Sequence, residues 1–251
     1  MGESIQGKTA LITGAAKRIG RVTALALAAE GVNVIVHYDH SAADAVELSR
    51  ELTNAGVRSW TLQADFSTPK GYETLIARAL QEAEHVDILI NNASIFPQDT
   101  LESLDFTEVT ENLRVNAWAP FTLCRAFADQ VGQGKIVNML DSRICGYDWA
   151  HVGYVLSKHM LHVLTRMMAL EFAPSITVNS VAPGLILPPP GKDMRYLERL
   201  TETVPLKRHG TPQDIADAIV YLVKSAFLTG EVIFVDGGRH LWEYVGGPHP
   251  H

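Results

Sequence analysis

Residues 9–20 read TALITGAAKRIG, and the segment that follows is rich in Ala and Leu as far as Glu30. A short apolar run, Thr9 to Thr13, passes through a glycine turn straight into a predicted helix from Arg18 to Glu30. Glycine at 14 lets the backbone turn tightly, and the small Ala15 and Ala16 leave room for a ligand. A helix N-terminus then offers unpaired N–H groups and positive partial charge. That combination suits the pyrophosphate of a dinucleotide. A tight turn that only caps a helix would carry the same glycines, so the strand before and the helix after carry the assignment. Lys17 and Arg18 oppose the helix macrodipole, which points to an anionic ligand that offsets their repulsion.

Outward from this turn, apolar runs alternate with helical stretches. Predicted strands are Thr9 to Thr13, Asn33 to His37, Ser59 to Gln63, Val86 to Ile90, Lys135 to Met139, Ile176 to Val181 and Val232 to Val235. Their apolarity is continuous rather than alternating, as expected for parallel strands buried on both faces. Between them, helices are predicted at Arg18 to Glu30, Ala42 to Ala55, Lys70 to Glu84, Phe106 to Phe127, Val152 to Phe172 and Pro212 to Lys224. The expected fold is a single doubly wound α/β domain over residues 1–251 with a seven-stranded parallel sheet. No repeat, linker or charge run divides it. From Pro183 to Gly191 a proline-rich segment interrupts regular structure after a strand, where ligands bind in this architecture, and it is read as the start of a substrate lid at about 185–208.

The chain has 251 residues with a formal charge of −7, about 47% hydrophobic and 20% charged side chains. That composition belongs to a folded protein and, lacking a block of Lys or Arg, disfavours nucleic acid as partner. Cys124 and Cys145 are too few for a disulfide framework, and no apolar run approaches the roughly 18 residues of a spanning helix. A cytoplasmic protein without a membrane partner is expected. His159 and His162 lack a further ligand, so no metal site is assigned, and both cysteines are read as structural. The tail from Trp242 onward is a candidate subunit contact.

The second strand ends in His37-Tyr38-Asp39-His40-Ser41. Asp39 suits the ribose hydroxyls of NAD, whereas Arg18, His40 and the Ser41 hydroxyl suit a 2′-phosphate. Because several donors converge, NADPH is expected over NADH. Tyr154 and Lys158, four residues apart, share one helix face, where an ammonium would lower the phenol's pKa and make it a usable acid or base.

TGAAKRIG at 13–20, Asp65 after the third strand, NNAS at 91–94, Asn116 in a helix, YVLSK at 154–158 and PG at 183–184 together resemble the short-chain dehydrogenase/reductase family, a Rossmann fold, in order and over nearly the whole chain. The resemblance implies Tyr154 as catalytic acid, Lys158 on the nicotinamide ribose, and Asn116 holding a relay water. Asp65 would contact adenine. The implied cofactor cleft comprises Gly14, Lys17, Arg18, Ile19, Gly20, His37, Tyr38, His40, Ser41, Asp65, Phe66, Asn91, Ala93, Ser94, Tyr154, Lys158, Pro183, Gly184 and Leu185. A homotetramer is also implied.

One departure is informative. The family places Ser thirteen residues before the Tyr, where this chain has Asp141, with Ser142 one register off. A carboxylate there would repel charge developing on a carbonyl oxygen, favour the protonated Tyr154, and suit a substrate that presents N–H donors. With TGAAKRIG, Phe96 in NNASIF, VNSVAPGLIL and DGGRHL, the chain resembles the pteridine reductases. That implies reduction of dihydrobiopterin, dihydromonapterin or dihydrofolate at a site formed by Arg18, Ser94, Phe96, Asp141, Tyr154 and Leu185, with Trp149 and Tyr196 shaping the pocket. Phe96 would stack on the pterin. The alternatives are a carbonyl or 3-oxoacyl-thioester reductase, which shares Tyr154 and Lys158, and a non-catalytic NADP-binding sensor.

Overall fold

The structure, a computed structural model, describes residues 2–189 and 191–242. Seven short strands carry the apolar runs: β1 (Thr9–Ile12), β2 (Asn33–Tyr38), β3 (Ser59–Gln63), β4 (Ile88–Asn91), β5 (Gly134–Met139), β6 (Ile176–Pro183) and β7 (Val232–Val235). All pair parallel in the order β3-β2-β1-β4-β5-β6-β7. The expected seven-stranded, Rossmann-like sheet is thus present. Central strands β1 and β4 are buried along their whole length, because helices cover both faces.

The helices are α1 (Arg18–Ala29), α2 (Ala42–Asn54), α3 (Pro69–Glu73), α4 (Leu75–Ala83), α5 (Phe106–Leu113), α6 (Ala119–Gln130), α7 (Val152–Glu171), α8 (Met194–Leu200) and α9 (Pro212–Lys224). One core layer packs Ile12, Leu27, Leu48 and Ile219 on one face of the sheet. The other packs Leu11, Leu75, Leu123, Phe127 and Met168 on the opposite face. No helix among the described residues is long and apolar enough to cross a membrane.

Strand order reverses between β1 and β4, and ligands bind beside the carboxyl ends of strands at such a switch point. Gly14 and the ends of β4 and β5 all lie there.

Two predicted helices are broken. The stretch from Lys70 to Glu84 divides at Thr74. The stretch from Phe106 to Phe127 contains a π turn, Arg114–Trp118, between α5 and α6. Pro120 has no N–H to offer the Asn116 carbonyl four residues back, which is the local reason an α-helical ladder cannot run through. The proline-rich segment leads into α8, a helix not predicted. The expectation for the tail beyond Trp242 lies outside the described residues.

Candidate active site

At the glycine turn, Gly14 has φ 61°, a conformation glycine adopts without steric cost. Gly20 is demanded by proximity, since a Cβ there would lie 2.3 Å from the Gly14 carbonyl. Arg18 also sits in the left-handed region, at φ 54°. Its Nη2 donates to the Pro188 carbonyl at 2.8 Å, joining the turn to the proline-rich segment. No side chain caps α1, and its first residues, Arg18, Ile19 and Gly20, line the cleft, where a helix N-terminus suits an anion.

Asn92 and His37 hold this turn in place. Asn92 donates from Nδ2 to the carbonyls of Thr13 at 2.8 Å and Gly14 at 3.1 Å. The Gly14 N–H donates to His37 Nδ1 at 3.0 Å, so the ring's proton is on Nε2, 3.0 Å from the Ala64 carbonyl. His37 stacks on Phe66 with centroids 4.6 Å apart, and burial lowers its pKa from 6.5 to about 4. It is therefore a neutral brace as well as part of the cleft wall.

The cleft measures about 650 Å³ and is walled by Gly14, Lys17, Arg18, Ile19, Gly20, His37, His40, Asp65, Phe66, Ala93 and Ser94 among others. The Ser67 hydroxyl and backbone N–H lower the Asp65 pKa. Some expectations need correction. Asn91 does not line the cleft: it is buried and donates from Nδ2 to Asn138 Oδ1 at 2.8 Å. A one-residue step along β4 reverses side-chain direction, and Asn92 takes the position. Tyr38 and Ser41 are likewise absent from the walls. Lys17 is paired with Asp44 at 2.9 Å, so a partner already offsets part of its charge. Asp39 is held by Gln63 at 3.3 Å and lies 3.2 Å from His40.

A second cleft, about 380 Å³, adjoins the first through Arg18, Ile19, Asn92 and Ser94. Phe96, Asp141, Arg143, Tyr154, Lys158, Pro183, Gly184, Leu185 and Tyr196 complete it, whereas Trp149 and Ser142 do not line it. The Tyr154 hydroxyl donates to Asp141 Oδ2 at 2.9 Å. Lys158 donates to the Met139 carbonyl at 2.8 Å, and burial lowers its pKa from 10.5 to about 8.

The expectation that Lys158 brings the phenol's pKa down is overturned. Burial and then Asp141 raise Tyr154 well above the ordinary phenol value, with Arg143 rather than Lys158 opposing them. Lys158 Nζ stands 5.5 Å from the ring centroid, and Asp141 touches the hydroxyl itself. Tyr154 is held as the protonated acid, in the direction Asp141 led us to expect.

Asp141 is not a bare carboxylate. Arg143 donates to Oδ1 from its backbone N–H at 2.9 Å, and from Nη1 to Oδ1 at 3.3 Å and Oδ2 at 3.0 Å. These bonds and the one from Tyr154 use most of its acceptor capacity, so the expected grip of Asp141 on substrate N–H groups is largely pre-empted. Arg143 Nε also donates to Asp148 Oδ2 at 2.7 Å. Burial would raise Asp148, but His151, Arg143 and the Ala150 N–H lower it to about 2. An ionised Asp148 can only accept, so His151 Nδ1 donates to it at 3.1 Å. His151 stacks on Phe96 with centroids 3.8 Å apart, and Phe96 meets Tyr154 edge-on at 4.6 Å. One face of Phe96 is therefore already covered.

Asn116 is fully buried. Its Oδ1 accepts from the Ile95 N–H at 2.8 Å and Ser94 Oγ at 3.0 Å, while Nδ2 donates to the Ile95 carbonyl at 3.0 Å and Ser157 Oγ at 3.1 Å. The side-chain amide is committed to bracing the segment that carries Phe96 and does not itself hold the expected water; the backbone carbonyl, to which Pro120 offers no N–H, is a separate acceptor. Asp99, unnoticed in the sequence, accepts the Gly153 N–H at 3.1 and 3.2 Å and so caps α7 beside Tyr154.

With this geometry in hand, the family profile described as Enoyl-(Acyl carrier protein) reductase matches residues 14–240. The chain belongs to the short-chain dehydrogenase/reductase family. This family member is 36% identical to pteridine reductase 1 of Leishmania tarentolae, over 92% of this chain and 96% of that protein. It is 32% identical to the 3-oxoacyl-[acyl-carrier-protein] reductase FabG of Staphylococcus epidermidis, over 93% and 99%. Among solved structures, the FolM alternative dihydrofolate reductase 1 of Brucella canis, complexed with NADP, superposes with a TM-score of 0.88 at 28% identity, covering 96% of this chain and 97% of that one. The oxidoreductase's cysteines show no activation: burial raises Cys124 to about 12, and burial with Asp236 raises Cys145. Among the described residues no cluster of three or more His, Cys, Asp or Glu could hold a metal ion.

Proposed function

We propose that this oxidoreductase uses NADPH to reduce a C=N bond of a dihydropterin, with dihydrobiopterin, dihydromonapterin and dihydrofolate as the candidate substrates. The observation that carries the reading is the Tyr154–Asp141 hydrogen bond of 2.9 Å with Phe96 edge-on at 4.6 Å in the same cleft. Relatives that reduce pteridines and dihydrofolate support it.

The cradle fits the cofactor: the Gly14 turn, the tight approach at Gly20 and the uncapped start of α1 would take the pyrophosphate, and Arg18 with His40 the 2′-phosphate. When bound, NADPH supplies a hydride to carbon. The chain's own residues align the substrate and supply the proton. Tyr154 donates its phenolic proton toward the ring nitrogen, Asp141 keeps that hydroxyl protonated and oriented, and Lys158 offers an ammonium to the nicotinamide ribose. The pterin would stack on Phe96 in the second cleft, displacing part of the cover that His151 and Arg143 give the ring, and the segment 185–208 with α8 would close over it. We place the protein in the cytoplasm as a homotetramer, with exposed Val163, Met167 and Leu170 on α7 at a subunit contact.

A second reading, reduction of a carbonyl such as a 3-oxoacyl thioester, is favoured by Arg143, whose charge offsets that of Asp141 and lessens the repulsion of a developing oxyanion. NADPH oxidation at 340 nm separates the two readings. Turnover of any of the three pterins supports the first; turnover of acetoacetyl-CoA with all three pterins inert overturns it.

A further inference from the structure

We propose that Arg143 is a positioning residue for the reaction, acting through Asp141: its guanidinium holds both carboxylate oxygens so that Oδ2 faces the Tyr154 hydroxyl. Arg143 opens no recognisable motif, and it lies in a 3-10 turn, Ser142–Cys145, with no periodicity to direct its side chain. Its place is set by two carboxylates. Nη1 reaches Asp141 at 3.0 Å while Nε is anchored on Asp148 at 2.7 Å, and Asp148 is itself fixed by His151 and the Ala150 N–H. The guanidinium also stands 5.4 Å from the centre of the Phe96 ring. One planar cation thus ties the residue beside the acid to the aromatic wall, in a fork geometry a lysine cannot reproduce.

The chemistry needs such a cation. When Tyr154 releases its proton, a phenolate is left hydrogen-bond distance from the Asp141 carboxylate, and two like charges that close in a buried site oppose the step. Lys158 Nζ is directed to the Met139 carbonyl. Arg143, already bonded to Asp141, compensates the pair and leaves Asp141 able to orient Tyr154. Removing Arg143 would leave Asp141 buried with its charge uncompensated, whereas removing both charges would not.

The experiment is a double-mutant cycle on the full chain, with Arg143→Met, Arg143→Lys, Asp141→Asn and the Asp141→Asn/Arg143→Met pair, read by kcat, KM and NADPH affinity from cofactor fluorescence. The proposal rests on Tyr154 as the acid and not on the pterin. Dihydrobiopterin is the substrate; should the wild type reduce only acetoacetyl-CoA, the pterin reading fails while the same cycle on the thioester still tests Arg143. We expect Arg143→Met to lower kcat by about 10²-fold with NADPH affinity within about twofold, and Arg143→Lys to recover only about tenfold of that loss. In the Asp141→Asn background the same Met substitution should cost less than about threefold, because the group it acts through is gone. A loss that simply adds to that of Asp141→Asn, or a rise in KM with kcat unchanged, overturns the proposal; the latter would mean that Arg143 grips substrate directly. If Arg143→Met alone fails to fold, the pair, in which position 141 no longer carries a charge and Asp148 keeps its bonds from His151 and the Ala150 N–H, and Arg143→Lys give the comparison. Equal kcat for the pair and Asp141→Asn then supports the proposal, and a further large loss in the pair refutes it.

Discussion

His37 shows how a single side chain couples the cofactor turn to pH. Its folded pKa of about 4 lies below the ordinary 6.5, so the unfolded chain takes up a proton that the folded chain refuses. Stability from this residue is therefore complete above about pH 6.5 and lost as pH falls toward 4, by on the order of 3 kcal/mol across that window. Urea unfolding at pH 7 and pH 4.5 should show this loss in the wild type and a smaller one in His37→Gln. Lys158 titrates with the opposite consequence for activity. It is a cation below its pKa of about 8 and neutral above it, so kcat/KM of the free enzyme should fall as pH rises through about 8. Lys158→Met should remove that alkaline limb and lower kcat/KM by about 10²-fold; a wild-type profile flat to pH 9.5 would contradict the assignment. Tyr154 and Lys158 were legible in the sequence because helical spacing alone puts them on one face. The effect of Asp141 on the hydroxyl was legible too, whereas that of Arg143 was not, since its place is set by the loop from Asp141 to His151.

At the scale of elements, α7 depends on a group from far along the chain. Both oxygens of Asp99 receive the Gly153 N–H, and a Cβ at Gly153 would lie 2.9 Å from Asp99 Oδ2. Asp99→Ala should destabilise the protein by about 1–2 kcal/mol, as loss of a helix N-cap does. Because Tyr154 is the next residue, kcat should fall as well; thermal denaturation and turnover on the same preparation measure both effects. The π turn makes a complementary point. Pro120 went unremarked inside the predicted long helix that it breaks, and the outcome, an Asn116 amide that clasps both backbone groups of Ile95, needed the neighbouring strand end to be in place.

The whole molecule carries apolar surface that its own core does not cover. Val163, Met167 and Leu170 on α7 are 57%, 61% and 82% exposed, an unusual run for a surface in contact with water alone. If the proposed tetramer forms through this face, Met167→Glu with Leu170→Glu should convert it to a smaller species in light scattering coupled to gel filtration, while NADPH binding persists. A wild-type protein that is monomeric at all concentrations would dispose of the tetramer.

Strand and helix order, the parallel sheet and the phosphate-binding turn were determined by the sequence itself, because each rests on local spacing: continuous apolar runs, helical periodicity, and a glycine where the backbone must turn. Tertiary structure alone decided the state of the reactive groups. Asn92, at the end of β4, stands in the cleft where Asn91 was expected, because successive side chains point to opposite sides. Asp141, which stood out as an isolated carboxylate, became one end of a chain through Arg143, Asp148 and His151 to Phe96. The physical reason is that an irregular loop has no period to aim its side chains, so its charges find their partners only when the sheet edge, α7 and the segment after β4 are brought together.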